Sequence, residues 1–205
     1  MTRTTAFRRK PPFLHSPRRS RSPATVTKRQ ILIAPGEYPQ AAAIRVEAPI
    51  SIRGTGAAAT NVVLRNTTSG QHVITLAHAD AELALVTLTG GSAGSGPACL
   101  GIEAGLVRDC WVTGTSFSLG KQITGGTVLM SGGRLMRSVI RDNTMMGTGW
   151  NSVFSAGVYA TAGVVENCLI AGNSQRAYND KGGGKPDVRA DVFGKELWLP
   201  SEQEL

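Results

Sequence analysis

"GLVRDCWVTGTS" at residues 105–116, "GRLMRSVIRDNT" at 133–144 and "GVVENCLIAGNS" at 163–174 are one pattern written three times. The columns hold without internal gaps. Gly105, Gly133 and Gly163 coincide, as do Val107, Leu135 and Val165, and Cys110, Ser138 and Cys168. So do Val112, Ile140 and Ile170, and then Thr115, Asn143 and Asn173. A fainter copy, "AELALVTLTGG" from residue 81, sets Leu83, Val86, Leu88 and Gly91 in the same columns. Successive copies start 24, 28 and 30 residues apart, and self-similarity at such periods calls for a solenoid before any other fold.

A second apolar stretch precedes each copy: "VITLA" at 73, "CLGIE" at 99, "TVLMS" at 127 and "GVYAT" at 157. Each repeat therefore reads as strand, short Gly-containing turn, strand, then a variable loop. None shows the i, i+3, i+4, i+7 spacing of an amphipathic helix, which leaves a β-solenoid. In such a coil each strand pairs in parallel with its equivalent one turn away, at about 4.8 Å. Val112, Ile140 and Ile170 then stack inside. Thr115, Asn143 and Asn173 fall at a turn, where Asn tolerates left-handed backbone and stacked amides hydrogen-bond to one another.

The same geometry settles the cysteines. Cys110 and Cys168 share a column but lie two rungs apart, about 9.6 Å by the strand spacing, beyond the reach of about 7 Å that a disulfide needs. They read as small buried hydrophobes. Cys99, Cys110 and Cys168 form no CxxC and cluster with none of the scattered histidines, His15, His72 and His78, so no metal site is expected.

The net charge of +8 suggests nucleic acid until it is located. Residues 1–30 hold nine of the basic residues and no acid, leaving 13 basic against 14 acidic residues in the rest. The basicity belongs to an Arg-, Ser- and Pro-rich leader that cannot bury a core. Its make-up fits an unstructured leader, a transit peptide or a nucleic-acid-binding arm. No apolar run reaches the length of a signal-peptide core or of a membrane span. Beyond Ser174 the register fails, and residues 175–205 read as a tail or a loose cap.

The segment "ILIAPGEYPQAAAIRVEAPISIRGTGAAATNVVLRN", 31–66, carries a resemblance of its own. Pro35, Gly36, Glu37 and Tyr38 end one strand. Ile50 to Gly56 supply another and a Gly-rich turn, and "VVL" follows at 62–64. This resembles the first coil of the pectin-lyase-like right-handed parallel β-helix superfamily, and the later repeats resemble coils of uncharacterised bacterial β-helix proteins of that type. The resemblance covers residues 31–174. It implies an all-β, single-stranded right-handed parallel β-helix of about five or six coils, an extracellular or cell-surface location, and a polysaccharide or cell-surface glycan as partner. Members usually begin with a short capping helix, whereas the stretch before Ile31 is rich in Pro and Arg. The expectation is therefore a truncated chain or a misplaced start.

Catalysis is harder to locate. Enzymes of this superfamily hold clustered carboxylates, or a carboxylate–Arg–Lys set with calcium, on one sheet. Here Glu37, Glu47, Asp80, Glu82, Glu103, Asp109, Asp142 and Glu166 fall into no shared ladder. The best cluster is a column of Asp109, Arg137 and Asn167, with Arg108, Met136 and Glu166 beside it. It fits a solvated charge ladder or a sugar-binding patch. "GGSAGSGPACLG" at 90–101 lacks the lysine and spacing of a phosphate loop, and no histidine stands near a nucleophile elbow.

One more column stands out. If Cys110 and Val112 point inward, Trp111, Val139 and Leu169 point outward, an apolar stripe that the insertions at 117–126 or 145–157 would cover or that a partner would use. Asp109, Arg137, Asn167 and Trp111 are thus the candidate ligand-binding residues. No catalytic residue, metal or cofactor is assigned, calcium entering only if the chain is a lyase. The expected function is a non-catalytic or remnant β-helix module that binds carbohydrate or a surface partner. The alternative is a polysaccharide lyase or glycosidase, or the N-terminal part of one.

Overall fold

The computed structural model describes residues 28–92, 96–119, 124–147, 153–177 and 192–194. The leader up to residue 27 and most of the segment beyond 177 lie outside them. The described chain winds as a parallel β-solenoid of three faces. The first coil is β1 (Arg29–Ile33), β2 (Gly36–Gln40) and β3 (Ile44–Val46), and the second is β4 (Ile50–Gly54), β5 (Val62–Asn66) and β6 (Ile74–Leu76). The third is β7 (Glu82–Ala84), β8 (Thr87–Thr89) and β9 (Gly96–Ile102). Then follow β10 (Leu106–Arg108), β11 (Trp111–Thr113), β12 (Ser116–Leu119) and β13 (Thr124–Met136). The last coils are β14 (Val139–Arg141), β15 (Thr144–Gly147), β16 (Val153–Glu166), β17 (Leu169–Ala171), β18 (Ser174–Ala177) and β19 (Val192–Gly194).

Every pairing is parallel and joins a strand to its equivalent one coil on. Face 2 shows the stack plainly, in the order β17-β14-β11-β8-β5-β2, six rungs among the described residues. Face 1 stacks β1, β4, β7, β10 and the C-terminal parts of β13 and β16, and face 3 stacks β3, β6, β9, the N-terminal parts of β13 and β16, and β19. β13 and β16 run unbroken from face 3 into face 1, with register shifts at Met130/Ser131 and Ser131/Arg134 marking the bend. The parallel β-helix expected from the repeats is the fold, and the register reproduces the sequence columns: Val107↔Leu135↔Val165 and Val112↔Ile140↔Ile170.

Alternation places the core. Leu83, Val107 and Leu135 are fully buried on face 1, Leu88, Val112 and Ile140 on face 2, and Ile74, Leu100 and Val128 on face 3. Each such side chain contributes about 1.5–3 kcal/mol through its removal from water. Because every rung adds only a few residues to a narrow interior, aliphatic side chains dominate the main core, while Phe117 is buried in a smaller cluster with Ala98, Met145 and Ala156.

The corners differ from the sequence reading in two ways. The repeat segment is two strands on different faces, not one, because a single left-handed residue turns the chain between them. That residue is Leu85, Asp109, Arg137 or Asn167, with φ of 57°, 54°, 43° and 53°. Its N–H donates to the neighbouring coil, as from Asp109 to the Met136 carbonyl and from Arg137 to the Glu166 carbonyl, both at 3.1 Å. The next residue folds back on the corner. Cys110 Sγ, Ser138 Oγ and Cys168 Sγ each donate to the carbonyl two residues before, at 3.1, 2.8 and 3.3 Å. Thiol and hydroxyl alternate in that column because either supplies one donor atom on Cβ.

The second difference concerns the asparagines. The left-handed residues at the next corner are Gly90, Gly114, Asp142 and Gly172, one position before the Thr/Asn column. Asn143 and Asn173 instead turn inward and are buried. Asn143 Nδ2 donates to Asn173 Oδ1 at 2.9 Å and to the Val112 carbonyl at 3.1 Å, and Asn173 Nδ2 donates to the Ile140 carbonyl at 2.9 Å. The stacked amides are real, and they sit within the core.

The Gly105, Gly133 and Gly163 column forms the third corner with φ of 83°, 66° and 105°. A Cβ on Gly133 would also lie 2.7 Å from the Gly105 carbonyl oxygen and 2.8 Å from Ile102 Cγ2. Conformation and space both demand glycine there. The cysteines are all unbridged, and burial pushes the Cys99 and Cys110 thiols up to about 12. At the C-terminal end β18 and β19 continue their sheets; the rest of the segment 175–205, expected as a tail or loose cap, lies outside the described residues. No helix of the described residues is long and apolar enough to cross a membrane.

Candidate functional site

The outer side of face 3 carries a column that does not repeat. Register sets Arg45, Thr75, Gly101, Leu129 and Tyr159 one above another. Strand alternation turns them away from the core, since buried Ile74, Leu100 and Val128 occupy the inward column beside them. With His72, Pro97, Glu103 and Ser131, the first four of these line a groove of about 190 Å³.

Two polar constructions occupy it. The Arg45 guanidinium forks onto Glu103, with Nη1 on Oε1 and Nη2 on Oε2, both at 2.7 Å, and its Nε donates to Glu47 Oε1 at 2.7 Å. The bond to Glu103 is the main cause that raises Arg45 above its ordinary value and holds the Glu103 carboxyl below its own. Beside it, His72 Nε2 and Thr75 Oγ1 are 2.9 Å apart. His72 is half-buried, and desolvation, with the nearby Arg45 charge, lowers its pKa below 6.5. The ring is therefore neutral at pH 7.

Gly101 keeps this arrangement open. A Cβ there would stand 2.5 Å from Thr75 Oγ1 and 3.2 Å from Pro97 Cγ, so any other residue would push into the Thr75–His72 pair. Buried Thr75 and neighbouring His72 are thus fixed, while Arg45, Glu47 and Glu103 stand exposed at the rim. Chemically the groove offers hydrogen-bond donors and acceptors in set positions. The Arg45 guanidinium holds the Glu103 carboxyl below its ordinary range, whereas glycoside hydrolysis by a carboxyl pair requires one carboxyl to carry a proton.

Asp109, Arg137, Asn167 and Trp111 lie elsewhere. The first three are brought together as the left-handed column between faces 1 and 2. Arg137 donates to Asp109 through Nε at 2.8 Å and Nη2 at 2.9 Å, and Arg108 Nη1 reaches the same carboxylate at 2.8 Å. Arg137, and then Arg108, hold Asp109 below the ordinary carboxylate range. Arg108 continues to Glu82, which also accepts from Lys28 at 2.8 Å. The result is an ion-pair ladder along the axis. Trp111 is on face 2, in register with Val139, which in turn pairs with Leu169, 56% exposed. Of the two insertions, residues 117–119 and 145–147 lie in β12 and β15, which form a small corner sheet with β18, residues 124–126 and 153–157 belong to β13 and β16, and residues 120–123 and 148–152 lie outside the described residues. Among the described residues no group of three or more His, Cys, Asp and Glu is placed to hold a metal ion.

Arg45, Thr75 and Gly101 escaped the sequence reading, and His72 was in view there only as a scattered histidine. Glu103 was in view there only as an unclustered acid. Arg45 and Glu103 are 58 residues apart, and only the strand register joins them.

No family model matches the chain, and no curated protein does either. Among solved structures the chain is similar to a pectin methylesterase in complex with a hexasaccharide, at 12% identity and a TM-score of 0.34, covering 90% of this chain and 84% of that one. It is similar also to a point mutant of pectin methylesterase with another hexasaccharide, at 12% identity and a TM-score of 0.35 over the same shares. The assignment of the chain to the parallel β-helix class rests on the strand register described above.

Proposed function

We propose that this protein is a β-helix module that binds carbohydrate, a polysaccharide or cell-surface glycan outside the cell, through the face 3 groove and without turning it over. The observation that carries this reading is the set of fixed polar groups around Arg45, Glu103, His72 and Thr75 on a sheet face. A carboxylate offers several lone pairs and a guanidinium several N–H groups, and sugar hydroxyls both donate and accept. A preformed network of this kind holds a glycan with little ordering cost.

A second surface is favoured by one observation, the outward Trp111–Val139–Leu169 row beside the Asp109–Arg137–Asn167 corner, since an apolar stripe next to polar groups also suits a sugar ring. Titration with a panel of neutral and acidic oligosaccharides separates the two. Arg45→Ala abolishes binding and Trp111→Ala or Arg137→Ala leaves it intact if the groove is the site. The opposite pattern moves the site to faces 1 and 2. Incubation with the same polymers and calcium, read as new reducing ends or unsaturated products, tests the absence of turnover. Product formation that is lost in a groove variant would make the chain a hydrolase or lyase.

A further inference from the structure

Resting on that reading, we infer that the groove selects uncharged glycans and rejects polyuronates. The argument is one of charge and of occupied geometry. Among the described residues in and beside the groove, Arg45 is cationic and Glu47 and Glu103 are anionic. His72 is neutral, and Thr75, Ser131, Pro97, Gly101 and Leu129 carry no charge. The site is thus net negative by one.

The geometry agrees with the charge. A guanidinium captures a carboxylate most strongly side-on, through two parallel N–H donors. On Arg45 that edge is taken by both oxygens of Glu103, and the Nε side by Glu47. A uronate entering the groove would have to displace Glu103. It would exchange one carboxylate for another and leave Glu103 near a second anion. Like charges set close together are repulsive and suppress wrong partners.

A neutral sugar meets no such obstacle. Its hydroxyls donate to the free lone pairs of Glu47 and Glu103, and the Arg45 ion pair stays whole. Ser131 and the exposed part of His72 add further contacts at the rim. The small volume, about 190 Å³, lies below the usual range of drug-sized sites and suits one sugar ring of a chain that runs along the face.

The probe is a matched pair, hexagalacturonate and its fully methyl-esterified form, which differ in charge and carry the same backbone. Cellohexaose and xylohexaose serve as further neutral glycans. Binding is measured by calorimetry on the full chain, with Arg45→Ala and a Glu47→Gln/Glu103→Gln double variant, both changed at exposed positions. At least one neutral hexasaccharide is expected to bind about tenfold or more tightly than hexagalacturonate, and the double variant is expected to close most of that gap. If hexagalacturonate binds as tightly as every neutral glycan, or more tightly, and Arg45→Ala removes it, the selection is wrong and the groove remains the site. If no hexasaccharide binds, or Arg45→Ala changes nothing, carbohydrate binding at the groove falls and the selection with it.

Discussion

The corner between faces 1 and 2 and the outer column of face 3 lie on the same coils and obey opposite rules. At the corner each rung repeats its neighbour: a left-handed residue, then Cys110, Ser138 or Cys168 bonded to the carbonyl two residues back. On face 3 each rung differs, from Arg45 through Thr75 and Gly101 to Leu129 and Tyr159. Repetition marks positions where the backbone makes the same demand on every coil. Where that demand ends, at an outward column, residue choice is free to serve a ligand. The comparison predicts that substitutions in the repeated columns change stability, and that substitutions in the varied column change binding.

The largest effect belongs to the core ladder. Ile140→Ala removes a fully buried side chain stacked between Val112 and Ile170 and should lower unfolding free energy by about 2–5 kcal/mol, measured by denaturant titration. Gly133→Ala should follow, at about 1–3 kcal/mol from backbone strain with the contact against the Gly105 carbonyl in addition. Asn143→Ala removes the Nδ2 donor to the Val112 carbonyl and to Asn173 Oδ1 and should cost about 1–3 kcal/mol. Cys110→Ser should cost less than about 1 kcal/mol, since Ser138 already fills the same role one coil on. A large loss there would break the equivalence of thiol and hydroxyl.

The groove gives effects of another kind. Gly101→Val should leave the core intact while displacing Thr75 from His72, and should weaken glycan binding more than it lowers the unfolding midpoint. The smallest effect is on pH dependence. His72 has its folded pKa lowered by burial and by Arg45, so the unfolded chain takes up that proton first. Stability should therefore fall as pH drops below 6.5 toward the folded value, and His72→Gln should remove that part of the slope. A slope unchanged in the variant would place the titration elsewhere.

The same contrast explains what the sequence makes legible. Val107, Leu135 and Val165 announce themselves because the same inward position recurs on each coil, and the glycine column does so because no other residue fits its φ and its space. The two-residue corner stays hidden because Leu, Asp, Arg and Asn share no chemistry, only a left-handed conformation that Arg137 and Leu85 adopt against their preference. The Asp109–Arg137 pair is visible because opposite charges fall at aligned positions of adjacent repeats, and the structure joins them in an ion pair. The Arg45–Glu103 fork is invisible in one dimension, because its partners stand two coils apart with unequal coil lengths between them.

Glycan binding in the face 3 groove is tested most directly by following backbone amide shifts by NMR as a neutral hexasaccharide is added. Shifts gathered at residues 45–47, 72–75, 97–103 and 129–131 are the predicted result. Shifts gathered at 109–113, 137–141 and 167–171, with face 3 silent, would contradict it.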